Sequence, residues 1–207
     1  LILHGCEVTD AGLAHLKGMT KLKELGLNWT KVTDAGLVHL KGLTKLETLG
    51  LGTGVTDAGL VQLKGLTKLE SLHLDGTKVT DAGLVHLKGL PKLQKLNLSD
   101  TGVTDAGLEH LEGLTNLKFL SLFQDDSITD AGVKHLKGLT SLEQLVLTDT
   151  GVTDAGLVHL KGLTKLKELS LASTKVTDAG LAHLTGLTKL EHLILGGTKV
   201  TDAGLVH

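Results

Sequence analysis

Histidine and aspartate side chains recur along the chain at nearly constant intervals, and both types are potential metal ligands. Rows of imidazole groups suit transition metals, and rows of carboxylates suit calcium. Eight of the eleven histidines form one series: His15, His39, His86, His110, His135, His159, His183 and His207. Nine aspartates form the other: Asp10, Asp34, Asp57, Asp81, Asp105, Asp130, Asp154, Asp178 and Asp202.

Neither series is predicted to bind a metal, because each member lies in a different copy of a repeat. Gln62 takes the place of a histidine in one copy, and no carboxylate stands at a fixed place beside the others. Each aspartate is expected in the first turn of a short helix, where the helix dipole favours a negative charge. The sequence therefore predicts structural roles for both series, with no metal and no other cofactor.

Cys6 is the single cysteine, which excludes an intrachain disulfide. It stands where most other repeats have a threonine such as Thr30, so we expect a small inward-facing residue and not a nucleophile. No histidine with a partner carboxylate or amide is fixed beside it, and the chain has no G-x-x-x-x-G-K-[ST] phosphate loop. We therefore expect no catalytic residues and a protein that is not an enzyme.

The elements that carry these residues come from one repeat of 23 to 25 residues. The phrase V-T-D-A-G-L, first seen at residues 8–13, recurs eight more times with little change. In the copy that begins at Leu22, Leu25 and Leu27 alternate as on one face of a strand. Leu37 and Leu40 are spaced as on one face of a helix, which Thr33 is expected to cap.

Two glycines recur in every full repeat. Gly42 follows the helix and is predicted to adopt the left-handed conformation that ends many helices. Gly83 represents the second series, which lies inside the helices, where glycine costs roughly 1 kcal/mol relative to alanine. We predict that this cost is offset because each helix closely approaches the neighbouring repeat.

The pattern L-x-x-L-x-L-x-x-T-x-V-T-D-A-G-L-x-x-L resembles the leucine-rich-repeat family over the whole chain. It is similar to short 24-residue forms in bacterial repeat proteins and to the cysteine-containing repeats of F-box proteins. The resemblance implies an α/β fold: a leucine-rich-repeat solenoid, or horseshoe, with a parallel concave sheet and short convex helices. We expect residues 1–207 to form a single solenoid of about nine repeats, a fragment that lacks terminal caps.

Composition argues against several classes of partner. The 21 basic and 23 acidic side chains nearly balance, for a net charge of −2, and this gives no footprint for nucleic acid. There is no polybasic membrane patch and no apolar run of the roughly 18 residues that cross a bilayer. We therefore expect neither nucleic acid nor membrane as a partner.

Function is expected where the repeats differ, because a residue found in every copy builds the repeat. Two of the three aromatic residues, Phe119 and Phe123, alternate with Ser121 on one strand, and the 25-residue repeat adds its extra residue directly after them. Aromatic residues ringed by polar groups are typical of binding hot spots. The predicted partner-binding residues are Trp29, His73, Asp75, Lys95, Asn97, Asp100, Phe119, Ser121, Phe123, Gln124 and Asp125.

The sequence thus predicts a protein-interaction scaffold that binds a protein partner through its concave face. A small-ligand or glycan module, a structural spacer and an engineered repeat scaffold remain alternatives. The unequal repeat lengths favour natural duplication over design. Leucines at both ends, such as Leu1 and Leu205, are expected to expose apolar surface, which predicts further chain or end-to-end self-association.

Overall fold

The computed structural model describes residues 1–206 and contains eight three-residue strands. The chain divides between Gly102 and Val103 into two compact units, called unit 1 and unit 2 below. The strands of unit 1 are β1 (Glu24–Gly26), β2 (Thr48–Gly50), β3 (Ser71–His73) and β4 (Lys95–Asn97). Those of unit 2 are β5 (Phe119–Ser121), β6 (Gln144–Val146), β7 (Glu168–Ser170) and β8 (His192–Ile194).

Within each unit the strands pair in parallel and in register, so equivalent residues of successive repeats stack into columns. In unit 1 the column runs from Leu25 through Leu49 and Leu72 to Leu96. In unit 2 it runs from Leu120 through Leu145 and Leu169 to Leu193. The first repeat contributes isolated bridges, between Ile2 and Gly26 and between Thr9 and Lys31.

Short α-helical turns follow the strands. They are α1 (Asp10–Leu13), α2 (Asp34–Leu37), α3 (Asp57–Leu60), α4 (Asp81–Leu84), α5 (Asp130–Val133), α6 (Asp154–Leu157) and α7 (Asp178–Leu181). Turns of 3-10 helix occupy Ala14–Leu16, Val38–Leu40, Val61–Gly65, Val85–Gly89, Gly107–Leu111, Lys134–Gly138, Val158–Leu160 and Asp202–Val206. The predicted helix is therefore one α-helical turn that tightens into a 3-10 turn, too short to be stable without packing.

Leucines from the strands and the helical turns form the core of each unit. Leu96 and Leu98 are fully buried, as the alternating pattern predicts. Val32 and Leu37, which bracket the start of α2, are also fully buried, as expected for a hydrophobic staple. Leu1 and Leu205 in the first and last repeats are exposed, and the end-to-end association stays a prediction.

The start of α2 confirms the predicted cap by Thr33 and shows that the same threonine also forms hydrogen bonds to the preceding repeat. Thr33 Oγ1 accepts from the Ala35 amide at 3.4 Å, as an N-cap does. It also donates to Asp10 Oδ2 of the preceding repeat at 2.7 Å, while the Thr33 amide donates to Asp10 Oδ1 at 2.8 Å. The same two bonds join Asp34 to Thr56 and Asp57 to Thr80. The aspartate therefore does more than face its own helix dipole, because it also ties one repeat to the next.

The inter-repeat aspartate explains the glycine inside most of the helices. A Cβ atom added to Gly83 would collide with the Asp57 carboxylate and would lie 3.1 Å from Leu60 Cδ1 and Val79 Cγ1. Asp154 stands against Gly180 in the same way. The predicted close approach is confirmed, and the approaching group is the inter-repeat aspartate.

Two sequence-based predictions are wrong. Gly42 is not left-handed, because the helix ends through successive 3-10 turns in which Leu43 N donates to Leu40 O and Leu46 N to Leu43 O. Left-handed backbone occurs instead at the strand exits, where most repeats have a residue with positive φ. Cys6 is exposed, although the matching Thr30, in a repeat packed between two others, is buried.

Candidate functional site

Glycines replace side chains on the outer face of the unit 1 strands, the face directed away from the leucine core. Gly26 in β1 and Gly50 in β2 stand side by side in the register. A Cβ atom at Gly26 would collide with the His4 imidazole, and one at Gly50 would collide with the Asn28 amide. Both side chains therefore lie flat across the glycines and form the floor of a depression.

The depression, called the Trp29 hollow below, has a volume of about 270 Å³. Trp29 stands at its rim with 70% of its surface exposed, and its ring meets that of His4 edge to face at 6.3 Å. The polar residues that line the hollow are His4, Glu24, Asn28, Thr48, His73, Asp75 and Asn97. An exposed indole beside a polar wall is the composition of an interface anchor.

The backbone at Trp29 is itself unusual, because its φ is 56°. A residue with a side chain is disfavoured in this left-handed region, and Gly5 and Gly76 hold the matching place in two other repeats of unit 1. The conformation closes the turn in which Thr30 N and Oγ1 both donate to Leu27 O. A bulky ring is therefore placed in the solvent at a position that favours glycine.

The polar wall is held by hydrogen bonds. Asn97 Nδ2 donates to Asp75 Oδ1 at 3.1 Å, and Asn97 Oδ1 accepts from the Ser99 amide and hydroxyl at 3.1 and 2.6 Å. His73 Nε2 and Ser71 Oγ share a hydrogen bond of 3.0 Å. The carboxylate and the imidazole are thereby oriented before any ligand arrives, which lowers the entropic cost of binding.

His73 is only partly exposed, and burial lowers its pKa. The cations of Lys95 and His4 lower this pKa further, whereas Asp75 raises it. With burial dominant, the neutral imidazole is favoured near neutral pH. His73 is then able to both donate and accept hydrogen bonds at the wall of the hollow.

Four of the six residues predicted in unit 1 come together here. Trp29, His73, Asp75 and Asn97 line the same hollow. Lys95 lines a second depression of about 370 Å³ beside His73. Asp100 is exposed at the exit of β4, and its φ is 53°.

Sequence reasoning missed His4, Gly26 and Gly50, which shape the hollow. The run of small residues Gly26, Gly50 and Gly52 at outward positions was the available signal. Three glycines at places where other repeats have side chains predict a depression in a sheet.

The other five predicted residues belong to unit 2, and two of them need correction. Ser121 and Asp125 are 5% and 4% exposed, so neither presents its side chain to a partner. Ser121 is a short side chain beside β6, which pairs with β5 at a spacing of about 4.8 Å. Asp125 takes the inward place that Thr150 and Thr174 hold in the next repeats, so it points to the interior.

Phe119 and Phe123 are partly exposed, and Gln124 is exposed with a φ of 61°. The rings are more exposed than the fully buried leucines of the inner strands, such as Leu120 and Leu145. Both rings are less exposed than Leu193, which lies in β8. A role in partner binding stays a prediction for these three residues.

His15 is exposed, and the other described members of the histidine series are partly buried. His135 Nδ1 lies 2.6 Å from Glu112 Oε1, and His39 Nδ1 is buried without a hydrogen-bond partner. His207 lies outside the described residues. Within residues 1–206 no three His, Cys, Asp or Glu side chains are grouped so as to hold a metal ion. No helix in that range is long and apolar enough to cross a membrane.

Comparisons with known proteins agree with the repeat pattern. A family model described as "Leucine rich repeat" matches residues 67–126. A second, described as "Leucine Rich repeat", matches residues 18–40, 138–160, 162–184 and 186–206. A search of curated protein sequences found no match.

Solved structures of Listeria monocytogenes strain 4b F2365 proteins share the fold. Internalin C2 is 30% identical, with a TM-score of 0.74, over 94% of this chain and 79% of its own. The internalin inlF is 26% identical, with a TM-score of 0.74, over 92% of this chain. The chain spans about half the length of inlF, 52%. The predicted similarity to bacterial leucine-rich-repeat proteins is confirmed.

Proposed function

Since this chain belongs to the leucine-rich-repeat family, we propose that it is a non-enzymatic scaffold that binds a protein partner through the outer face of its strands. The observation that carries the proposal is the Trp29 hollow of unit 1. It combines a 70% exposed indole with a glycine floor and an oriented polar wall. Repeat proteins with this fold serve in general as interaction scaffolds.

The hollow suits a protruding side chain from a protein partner. Trp29 offers a large rigid surface with little conformational entropy to lose, which is why tryptophan is common in hot spots. Asp75 and the neutral form of His73 offer hydrogen bonds beside it. A ring of such polar groups around an aromatic anchor provides orientation as well as affinity.

A photo-crosslinking experiment tests two parts of the proposal: that the partner binds the outer face of the strands, and that Trp29 anchors it. A benzophenone amino acid replaces Thr48, which lines the hollow, or Lys41, which is exposed on a helical turn of the same unit. Partner adducts from cell extract are expected with the probe at 48 and not at 41. Trp29→Ala should then reduce retention of the captured partner about tenfold or more, as truncation of an aromatic hot spot does.

Val38→Ala is the matched control, because Val38 is also an exposed apolar residue but lies at the start of a 3-10 turn. It should leave retention unchanged. Adducts confined to position 41, or a captured partner that ignores Trp29→Ala, would contradict the proposal.

The size of the hollow favours a small ligand such as a sugar residue as the second candidate. Its volume of about 270 Å³ approaches the roughly 300 Å³ of the smallest ligand pockets. An aromatic face with a carboxylate and an amide suits a ring that carries hydroxyl groups. Saturation-transfer NMR with a panel of neutral oligosaccharides separates the candidates, because a sugar site would show Trp29-dependent transfer without any protein partner.

A further inference from the structure

Unit 1 carries two lysines at the same places in each of four repeats. One follows or ends the 3-10 turn, and the other lies four residues later, before the next strand. They are Lys17, Lys21, Lys41, Lys45, Lys64, Lys68, Lys88 and Lys92. All eight are exposed, and this set is called the lysine edge below.

Stacking of the repeats brings these lysines into two rows. The strands of unit 1 pair in register, so equivalent positions of neighbouring repeats are adjacent. Two contacts next to the lysines support this stacking. Gly42, which follows Lys41, is close to Lys17 of the preceding repeat, since a Cβ atom on Gly42 would lie 3.8 Å from Lys17 O. Gly89, which follows Lys88, is close to Lys64, since its Cβ atom would lie 3.9 Å from Lys64 Cγ. Paired strands step about 4.8 Å, and the lysines of successive repeats follow one another in the same order along the stack.

Repulsion is evident in the middle of the edge, at Lys68. The proximity of Lys45 lowers the pKa of Lys68 most and the charge of Lys92 lowers it further, whereas the charge of Glu47 raises it. Among residues 1–206 the salt bridges of unit 1 are Lys23–Glu47 and Lys31–Glu7, which involve other lysines. The edge therefore has eight cations without a carboxylate in salt-bridge contact.

The same places in unit 2 form an internal control. They hold Glu112, Asn116, Lys137, Ser141, Lys161, Lys165, Thr185 and Lys189. Only four are lysines, and Glu112 contacts His135. The repeat fold accepts neutral or acidic residues at these positions, so packing does not require the eight lysines of unit 1.

We propose that the lysine edge binds a linear sulfated polysaccharide. A row of compact ammonium charges attracts an extended polyanion through charge alone, without contacts specific to a nucleic-acid base or to a particular molecular shape. The anion would relieve the repulsion among the lysines and release its own counterions. The site is separate from the Trp29 hollow, which lies on the strands.

The chemistry of the edge favours sulfated polysaccharide over nucleic acid or membrane. The chain has no arginine, the residue that recognises phosphates and bases bidentately. Its aromatic residues Trp29, Phe119 and Phe123 lie in strands or at strand exits, so no ring is available on the edge for the base stacking that single strands need. The short helices bury their leucines and none is free to enter a groove.

Isothermal titration calorimetry with a heparin octasaccharide tests the proposal on the whole chain. One variant replaces Lys41, Lys45, Lys64 and Lys68 by glutamine. Its matched control replaces Lys137, Lys161, Lys165 and Lys189, the four lysines at the same places in unit 2. Both lose the same charge, and circular dichroism confirms that both stay folded.

The unit 1 variant is expected to weaken octasaccharide binding about tenfold or more and to flatten its salt dependence. The unit 2 variant should change it less than about threefold, and desulfated octasaccharide should not bind. Equal losses in the two variants would overturn the proposal, because net charge alone would then explain binding. Tighter binding of duplex DNA or of phosphatidylserine vesicles would also overturn it, in favour of those partners.

Discussion

Unit 1 and unit 2 contain the same repeat and the same buried leucine columns, but their surfaces differ. Unit 1 has a glycine-floored hollow on its strands and eight lysines along one edge. Unit 2 has Phe119 and Val146 in its strands, Phe123 just after β5, and four lysines at the matching places. The repeat therefore determines the core of each unit, whereas binding properties are set by positions where the core makes no demand.

The charge balance differs in the same way. Unit 1 has 12 lysines and 10 acidic residues, and unit 2 has 9 lysines and 13 acidic residues. The overall net charge of −2 hides both the difference and the lysine edge. A balanced total is thus poor grounds for excluding polyanionic partners, because partners respond to local fields.

Equivalent cores predict equal losses when a matched leucine is truncated. Leu98→Ala in unit 1 and Leu147→Ala in unit 2 remove fully buried side chains from the same strand position. Each is expected to lower the free energy of unfolding by about 2–5 kcal/mol, through lost burial and the cavity left behind. Urea titration followed by circular dichroism measures this, and exposed Val61→Ala is the control. A loss below about 1 kcal/mol in one unit would show that the two cores are packed differently.

The inter-repeat aspartates predict that alanine is destabilising at the glycines inside the helices and is tolerated at the glycines that follow the helices. Gly83→Ala and Gly156→Ala place a methyl group against Asp57 and Asp130, and each should cost about 1–3 kcal/mol. Gly89→Ala and Gly162→Ala meet only ordinary contacts at 3.9 and 3.8 Å and should be within about 0.5 kcal/mol of wild type. Differential scanning calorimetry of the four variants compares them, and a rise in melting temperature for Gly83→Ala would contradict the account.

Glycine substitution at the positive-φ residue of a strand exit should stabilise either unit, but it should weaken partner binding only in unit 1. Trp29 and Ser173 both have a φ of 56°, so glycine at either place should raise the free energy of unfolding by up to about 1 kcal/mol. Trp29→Gly should also abolish partner retention, whereas Ser173→Gly should not affect binding to the hollow. Chemical unfolding and a retention assay on the same samples check both effects, and partner binding that survives Trp29→Gly would remove the indole as the anchor.

The smallest expected effect is a pH dependence of unit 1 through His73. Burial lowers the pKa of His73 from the ordinary histidine value of 6.5, so as the pH falls the unfolded chain takes up a proton before the folded one does. Stability from the neutral imidazole is present above pH 6.5 and is lost as pH falls through that value toward the lower folded pKa. The melting temperature of wild type should fall more steeply between pH 7 and 5 than that of His73→Gln. Parallel slopes would show that the imidazole titrates alike in both states.

Periodicity alone was enough to predict the core and the helix starts. Leu96 and Leu98 are buried because a strand alternates its side chains and only one face meets the helical turns. Thr33 caps α2 because its hydroxyl is one of the few groups able to satisfy a free amide of the first turn. Such properties depend on spacing within one repeat, which the sequence displays directly.

Partners in a neighbouring repeat were harder to predict. The sequence placed Asp10 at a helix start, but its bonds to Thr33 depend on how closely two repeats stack. The left-handed conformation was expected at Gly42 and occurs at strand exits, because consecutive 3-10 turns end the helix without it. Asp125 is predicted to bind a partner beside Phe123, yet the strand exit turns it inward.

The sequence by itself determined the fold family, the buried columns and the residues free to vary, because each follows from a repeat period and the polarity of its positions. Only the tertiary structure decided which variable residues meet. Trp29 and Asn97 are separated by several repeats in sequence but line one hollow, because parallel strands in register bring each repeat within about 4.8 Å of the last. The depth of that hollow depends on the glycines between them, whose absent side chains leave space that His4 and Asn28 cross without filling.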